Sequence, residues 1–438
     1  MGAGVRTRYE EGILRADRDS GREEIMQTYE EVLEFIEEEN VKFIKLAFFD
    51  AFGEQRSVAI MPSQLRRAVL EGISFDASSV AGFGGDVHSD LFLKPDLSTI
   101  SIVPWRPLDG GVCRVFCDVY RPDGMPCEND TRYILKQAVK KARDAGVRID
   151  FGPEIEFYVF KKDAMGNTTK EPIDNASYMA VAPDDQGEDL RRDICFALVE
   201  MGITPEASHH EQGPGQNEID FHYGDPISTA DNTATVKWAI RNLAEATGRT
   251  ADFSPKPMQD KPGSGMHFNI SVEPLPGVHD PAGSVSLTEM FMAGIMKHIR
   301  EITLFLNPLR KSYERFGQME APYFISWGEQ NRTQLIRIPA AAAGRKRIEL
   351  RSPDAATNPY LAFALVIYAG LDGIENAMRP DLPMNANMYR ADPDLTRRLD
   401  KLPRHIDEAM SCARESEFVR TYVPLEILDE YCNPARAL

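Results

Sequence analysis

The sequence predicts an α+β fold in two domains, and three observations carry that reading. At 438 residues the chain exceeds what one small domain needs. Its opening stretch, up to residue 122, reads as short strands with a few helices, closed by the turn-rich RPDGMPCEND. Beyond that junction, strands bearing charge at alternate positions are interleaved with helical patterns. A hydrophobic fraction of 42% and a charged fraction of 27% supply ordinary globular material for both domains.

Taken in order, residues 1–19 are mixed and charged and read as a flexible tail. Ser20-Gly21-Arg22-Glu23 matches a capping box, and Ile25, Tyr29, Val32, Leu33 and Ile36 follow at helical spacing. VKFIKLAFFD and RSVAIM flank AFGEQ as a hairpin. SQLRRAVLEG reads as a short helix, FDASSVAGFGGDVHSD as a loop, and STISIVPW and GVCRVFCDVY as strands. These segments define a domain over 20–122 and leave 123–438 for a second. Helices there are predicted in TRYILKQAVKKARDAG, DLRRDICFALVEMG, TATVKWAIRNLAEATG, LTEMFMAGIMKHIREITLFL and PYLAFALVIYAGLDGIENAM.

Several function classes drop out early. A formal charge of -18 opposes nucleic acid as the main partner, because phosphate binding needs a basic face. No apolar run reaches membrane-spanning length, and MGAGVRTRYE lacks a signal-peptide stretch, so no membrane partner and a cytoplasmic location are expected. The six cysteines show no CxxC or finger spacing. Cys113 and Cys117, four apart on one predicted strand, share a face and read as buried reduced thiols.

Four segments carry candidate chemistry. GPEIEFYVF sets Glu154 and Glu156 two apart, on one strand face, with Ile155 and Phe157 on the other. His209-His210-Glu211 leads through Gly213-Pro214-Gly215 to Glu218, a turn able to return the two glutamates to each other. GSGMHFNIS puts His267, Asn269 and Ser271 on one face, and RKRIELRSPD does the same for Arg347, Glu349 and Arg351. Singly, each is a solvated strand face or a surface ion pair. Together they offer five glutamates and a histidine without thiolate, a donor set for Mg²⁺ or Mn²⁺ rather than structural zinc. Two adjacent divalent sites suit phosphoryl transfer, and arginines add bidentate contacts to carboxylate and phosphate.

In their order and spacing, FDASS, GPEIEF, HHEQGPGQNEID, KPMQDKPGSGMH, MEAP, NRTQLIRIP and RIELRSPDAATNPYLAFA resemble the signatures of type I glutamine synthetases, from about Val41 to Met378. The resemblance implies an N-terminal β-grasp domain and a C-terminal catalytic domain with a curved antiparallel sheet flanked by helices. It implies ATP as co-substrate, two or more Mg²⁺ or Mn²⁺ ions per active site, and ligation of ammonium to L-glutamate through γ-glutamyl phosphate. A homo-oligomer, hexamer or dodecamer, is implied, with active sites between subunits.

The same resemblance implies one metal site at Glu156, Glu211 and Glu218, and another at Glu154, His267 and Glu349. Arg315, Arg351 and Gly263 would hold glutamate. Arg332 and Arg337 would face the phosphoryl groups, and Glu206, Tyr223, Ser271 and Arg347 the nucleotide. Asp76, given across the interface, would join Tyr178, Glu211 and Glu320 around ammonium, with Ser79 nearby and Glu320 closing the site.

The chain departs from the family pattern at Pro262, where asparagine is usual, at Ala77, where glycine is usual, and at Asn269, where many relatives carry histidine. It also stops early, at EYCNPARAL. Two other readings stand beside glutamine synthesis: a γ-glutamyl amine or polyamine ligase using an organic amine, and a non-catalytic structural or regulatory member.

Overall fold

The computed structural model describes residues 29–85, 89–106, 110–277, 286–340 and 347–433. The tail over 1–19, the capping box at Ser20–Glu23 and Ile25 lie outside the described residues. The helix expected there is seen from Tyr29 to Glu38 (α1), where Val32 and Ile36, one turn apart, are buried.

The N-terminal sheet is built from β1 (Val41–Phe49), β2 (Gln55–Ile60), β3 (Ile73–Asp76), β4 (Asp90–Pro95), β5 (Ser101–Ile102) and β6 (Gly111–Tyr120). Its order is β2-β1-β6-β4-β3, with β5 beside β6 and β1 parallel to β6. The β1–β2 hairpin turns on Asp50, whose carboxylate accepts from the Phe52 and Glu54 amides at 3.0 Å each. Helix α2 (Leu65–Leu70) follows β2. STISIVPW forms less strand than expected. Leu97–Thr99 is a 3-10 turn closed by the Thr99 hydroxyl on the Asp96 carbonyl, and only Ser101–Ile102 pairs.

Helix α3 (Thr131–Asp144), capped by Asp130, opens the second unit. Its sheet has nine strands: β7 (Val147–Lys162), β8 (Thr168–Pro172), β9 (Pro205–His210), β10 (Gln216–Phe221), β11 (Arg249–Asp252), β12 (Met266–Pro274), β13 (Trp327–Glu329), β14 (Ile336–Ile338) and β15 (Ile348–Leu350). The order is β13-β14-β15-β12-β7-β10-β9, with β8 and β11 also on β7. The sheet curls and is antiparallel except where β13 meets β14 in parallel, so it is mixed at that edge rather than wholly antiparallel.

Its helices are α4 (Glu188–Glu200), α5 (Pro226–Ala246), α6 (Leu287–Leu306) and α7 (Pro359–Glu375), and four shorter ones lie between Pro393 and Tyr431. Helix α5 begins seven residues before the expected Thr233, because Asp225 caps it and Pro226 occupies its first turn. Ile155, Phe157 and Val159 of β7 join the core cluster that includes α6 and α7. The opposite sheet face is thereby left to polar side chains.

A buried guanidinium fixes the two units together. Arg132 of α3, 1% exposed, reaches Asp96 and Asp118 of the first unit at 2.8 and 2.7 Å and Asp231 of α5 at 2.9 Å. Three carboxylates around one arginine meet the condition under which a buried charge is tolerated.

Candidate active site

Strand pairing arranges the polar face into rows. Glu154 of β7 stands opposite Asp220 of β10 on one side and His267 of β12 on the other. One row along, Glu156 stands opposite Glu218, which in turn faces His209 of β9. Asn269 faces Glu349 of β15, and Glu349 faces Arg337 of β14. Directly opposed residues share a face, so sheet register alone collects the charges.

The rows hold two triplets whose ligand atoms lie within 4.8 Å of one another: Glu154, His267 and Glu349, and His209, Glu211 and Glu218. His267 Nδ1 is 3.1 Å from Glu154 and 3.6 Å from Glu349, and its Nε2 is 4.0 Å from Glu156. His209 Nε2 is 3.0 Å from Glu211 and 3.8 Å from Glu218. Glu156 is held by the Gly265 amide at 2.8 Å and by Gln216 at 3.2 Å.

This acidic wall is electrostatically strained. Burial, then Asp220, Glu156, Glu154 and Glu211, pushes the Glu218 carboxyl well up. Burial also raises Glu156, against the opposing charge of His267, and takes Asp220 up to about 8 with help from Glu154 and Glu206. At Glu154 burial is overridden by His267 and by an Asn269 hydrogen bond of 2.8 Å, and the group falls to about 2. Asn269 therefore orients a carboxylate.

Facing the wall is a cluster of arginines. Arg351, fully buried, pairs with Glu349, which Arg337 also engages. Arg315, 3% exposed, donates to the Ser352 carbonyl at 3.1 Å, and burial lowers its pKa. Between wall and arginines lies a cavity of about 400 Å³. Twelve of the residues singled out in the sequence line it: Glu154, Glu156, Tyr178, Glu211, Glu218, Gly263, His267, Arg315, Glu320, Arg332, Arg337 and Arg351. Glu349 lies directly behind them.

At the rim, Met319 and Glu320 both take left-handed backbone, with φ of +46° and +68°. Two adjacent non-glycine residues there mark a segment held by its surroundings. Glu320 is held by Gln212 at 3.4 Å and by Arg351, 3.5 Å from its carboxylate. Tyr178, half exposed, stands edge-on to His209 with ring centroids 5.4 Å apart.

Five singled-out residues lie elsewhere. Asp76 is exposed at the end of β3, its carboxyl lowered by hydrogen bonds from Ser78 and Ser89. Glu206 is exposed on β9, and Ser271 lies on β12 opposite Asp150. Tyr223 packs over Gly152, beside Asn269. Arg347 is exposed just before β15.

Conversely, His209, Gln216, Asp220 and Lys256 contribute without having been assigned. Asp220 was open to discovery by period two from Glu218, and His209 by its place two before Glu211. Lys256 lines the cavity with its ammonium on the Lys261 carbonyl at 2.6 Å; it opens the KPMQDKPGSGMH block, which drew attention as a signature without a role for its lysine. Of the departures, Pro262 offers its carbonyl to the Tyr158 hydroxyl at 2.7 Å. Ala77, buried, is absent from the residues with positive φ, so the described backbone there does not need glycine's freedom.

Comparison with known proteins agrees with this architecture. A family model described as "Glutamine synthetase, beta-Grasp domain" matches residues 40–122, and one described as "Glutamine synthetase, catalytic domain" matches 128–437. Glutamine synthetase of Methanosarcina mazei is 44% identical over 412 residues, 92% of each chain. That of Clostridium saccharobutylicum is 42% identical over 90% of each. A solved GmaS/ADP complex superposes with a TM-score of 0.82 at 27% identity, covering 93% of this chain and 95% of that one. Plasmodium falciparum glutamine synthetase, at 24% identity and a TM-score of 0.80 over 93% and 94%, is alike in fold. No helix among the described residues is long and apolar enough to cross a membrane. The two matched domains, and curated relatives above 40% identity over nine-tenths of the chain, establish that this protein belongs to the glutamine synthetase family of ligases.

Proposed function

We propose that the chain joins ammonia to the γ-carboxylate of L-glutamate at the expense of ATP, giving glutamine, ADP and phosphate. The observation that carries this reading is one cavity lined by Glu154, Glu156, Glu211, Glu218 and His267 on one wall, with Glu349 and His209 completing two donor triplets at its edge, and by Arg315, Arg332, Arg337 and Arg351 on the other. Anionic substrates and cations need such opposed walls; a binding module for one small molecule does not.

The residues fit divalent cations. The donors are carboxylates and imidazole without thiolate, and burial, with neighbouring carboxylates adding to it, already raises Glu218 and Glu156. Glu156, Glu211 and Glu218 would hold one Mg²⁺ or Mn²⁺, with Glu156 opposite Glu218 across the strands and His209 clustered with the other two, and Glu154, His267 and Glu349 would hold another. Bound there, the ions supply charge neutralisation of phosphate oxygens.

The chain's own groups do the rest. Arg315 and Arg351 hold the carboxylate of glutamate, and Gly263, without a side chain, lets the backbone approach. Arg332 and Arg337 orient the phosphoryl oxygens during transfer from ATP, which turns an unreactive carboxylate into an acyl phosphate. Glu206, Tyr223, Ser271 and Arg347 serve the nucleotide. Asp76 of a neighbouring subunit, in a hexamer or dodecamer, accepts the proton that ammonium loses before its nitrogen attacks. Tyr178 and Glu211 shape that pocket, and Glu320 shuts it against water.

The test is glutamate- and ATP-dependent phosphate release with Mg²⁺, comparing ammonium with methylamine, ethylamine and putrescine. Ammonium preference with glutamine as product is expected. Preference for an organic amine, or silence with all four, overturns the reading.

A further inference from the structure

A second cavity, of about 280 Å³, lies between the N-terminal sheet and helix α5 and shares no lining residue with the first. Its lining includes Lys45, Glu54, Arg106, Lys237, Trp238 and Arg241. Four cations and one carboxylate in one cavity stand out in a chain of formal charge -18.

The cations are also short of partners. Lys237 is 9% exposed, and among the described residues its ammonium meets the Thr357 carbonyl, at 3.5 Å, and the face of Phe253 at 5.7 Å, with no carboxylate in ion-pair contact. Arg241 reaches Glu54 at a loose 3.7 Å and lies over the same ring. For Lys45 and Arg106 no ion pair occurs among the described residues. Burial, then Arg241, lowers the Lys237 pKa to about 8. A buried, unpaired ammonium is costly unless an anion completes it.

We infer that this interdomain cavity binds a small doubly charged oxyanion, a dicarboxylate or a phosphate, between Lys45 of β1 and Lys237 and Arg241 of α5. The volume suits a molecule of a few non-hydrogen atoms. Bridging β1 and α5, such a ligand fastens the first unit to the second beside the Thr357 carbonyl, six residues beyond Arg351.

Tryptophan fluorescence reads this directly. The chain has three tryptophans; Trp238 lines the cavity and Trp105 packs edge-on against it at 4.7 Å. Wild type, Lys237→Met, Arg241→Gln and Arg332→Gln would each be titrated with malonate and with inorganic phosphate, with acetate at matched ionic strength as control. Saturable change with a dianion and none with acetate is expected. Affinity should fall at least about tenfold in Lys237→Met and Arg241→Gln and persist in Arg332→Gln. Response to malonate alone assigns a dicarboxylate, and to phosphate alone a phosphate. No saturation with either dianion, unchanged affinity in both cavity variants, or loss confined to Arg332→Gln overturns the proposal.

Discussion

Gly263→Ala is a severe test of how the amino-acid substrate is held. A Cβ on Gly263 would sit 2.4 Å from the Pro255 carbonyl oxygen and 2.6 Å from Arg315 Cγ. Contacts below 3.0 Å force something to move. The Pro255 carbonyl cannot retreat freely, because it accepts the Ser264 amide at 3.0 Å. Arg315 cannot swing to solvent, being 3% exposed and bonded to Ser352. The loop or the arginine must therefore shift by about 0.6 Å, the difference between 2.4 and 3.0 Å. Misplacement on this scale costs on the order of 10–100-fold in kcat/KM, or about 1.4–2.7 kcal/mol of transition-state stabilisation. Gly152→Ala is the matched control, since its Cβ meets Tyr223 Cβ at 3.0 Å on the nucleotide side. Initial rates of phosphate release, with glutamate and ATP varied separately, should show Gly263→Ala impaired toward glutamate and Gly152→Ala more mildly, toward ATP. Wild-type kcat/KM for glutamate in Gly263→Ala, or loss falling on ATP instead, would refute the assignment of Arg315 and Gly263.

Two further outcomes follow from the same geometry. If Asp76 serves a neighbour, Asp76→Asn and Glu349→Gln homo-oligomers should each be inactive, whereas subunits mixed in equal amounts should regain up to about a quarter of wild-type activity, since a quarter of random interfaces pair two intact partners; no recovery in exchanged oligomers would count against sharing. For Lys237, the folded pKa of about 8 lies below the 10.5 of the free side chain, so the unfolded chain binds the extra proton between those values. Its burial penalty, about 3 kcal/mol, is full below pH 8 and fades as pH rises towards 10.5. In anion-free buffer Lys237→Met should raise Tm at pH 7 and less at pH 10, and a lower Tm at pH 7 would contradict this.

The polar rows were legible in the sequence because strands alternate faces. Glu154 with Glu156, and His267 with Asn269, could be placed on one side of their strands without knowing the partner strand. Register was not legible: nothing local says that Glu156 meets Glu218 or that Asn269 meets Glu349, since those pairings join segments sixty and eighty residues apart. Asp220, an aspartate in an alternating strand, looks solvated until the four carboxylates of Glu154, Glu206, Glu156 and Glu211 are placed around it. Local hydrogen bonding overrode strand propensity at Leu97–Thr99, where Asp96 and Thr99 close a turn and Thr99 also takes the Phe116 amide at 2.8 Å. Lys256 stands at the head of the KPMQDKPGSGMH block, but its place in the cavity wall depends on how that loop folds and is not written in the spacing.

Charge balance also ranks the two cation sites. Glu349 already has Arg337, Arg351 and His267 around it, and Glu154 has His267 and Asn269. That triplet is largely neutralised by the protein itself. Around Glu156, Glu211 and Glu218 the cationic help is thinner: His209 reaches Glu211 and Glu218, no arginine forms an ion pair with the three among the described residues, and burial followed by repulsion from neighbouring carboxylates raises Glu218. A divalent cation therefore gains more Coulomb energy, and displaces less, at Glu156, Glu211 and Glu218. Titration of chelated protein with Mn²⁺, followed by calorimetry, should resolve a tight class of sites and a weaker one. Glu218→Gln should remove the tight class and Glu154→Gln the weak one. Loss of the tight class in Glu154→Gln instead would mean that the arginines leave Glu349 once metal arrives, and that the balance drawn from the protein's own charges does not govern the order of binding.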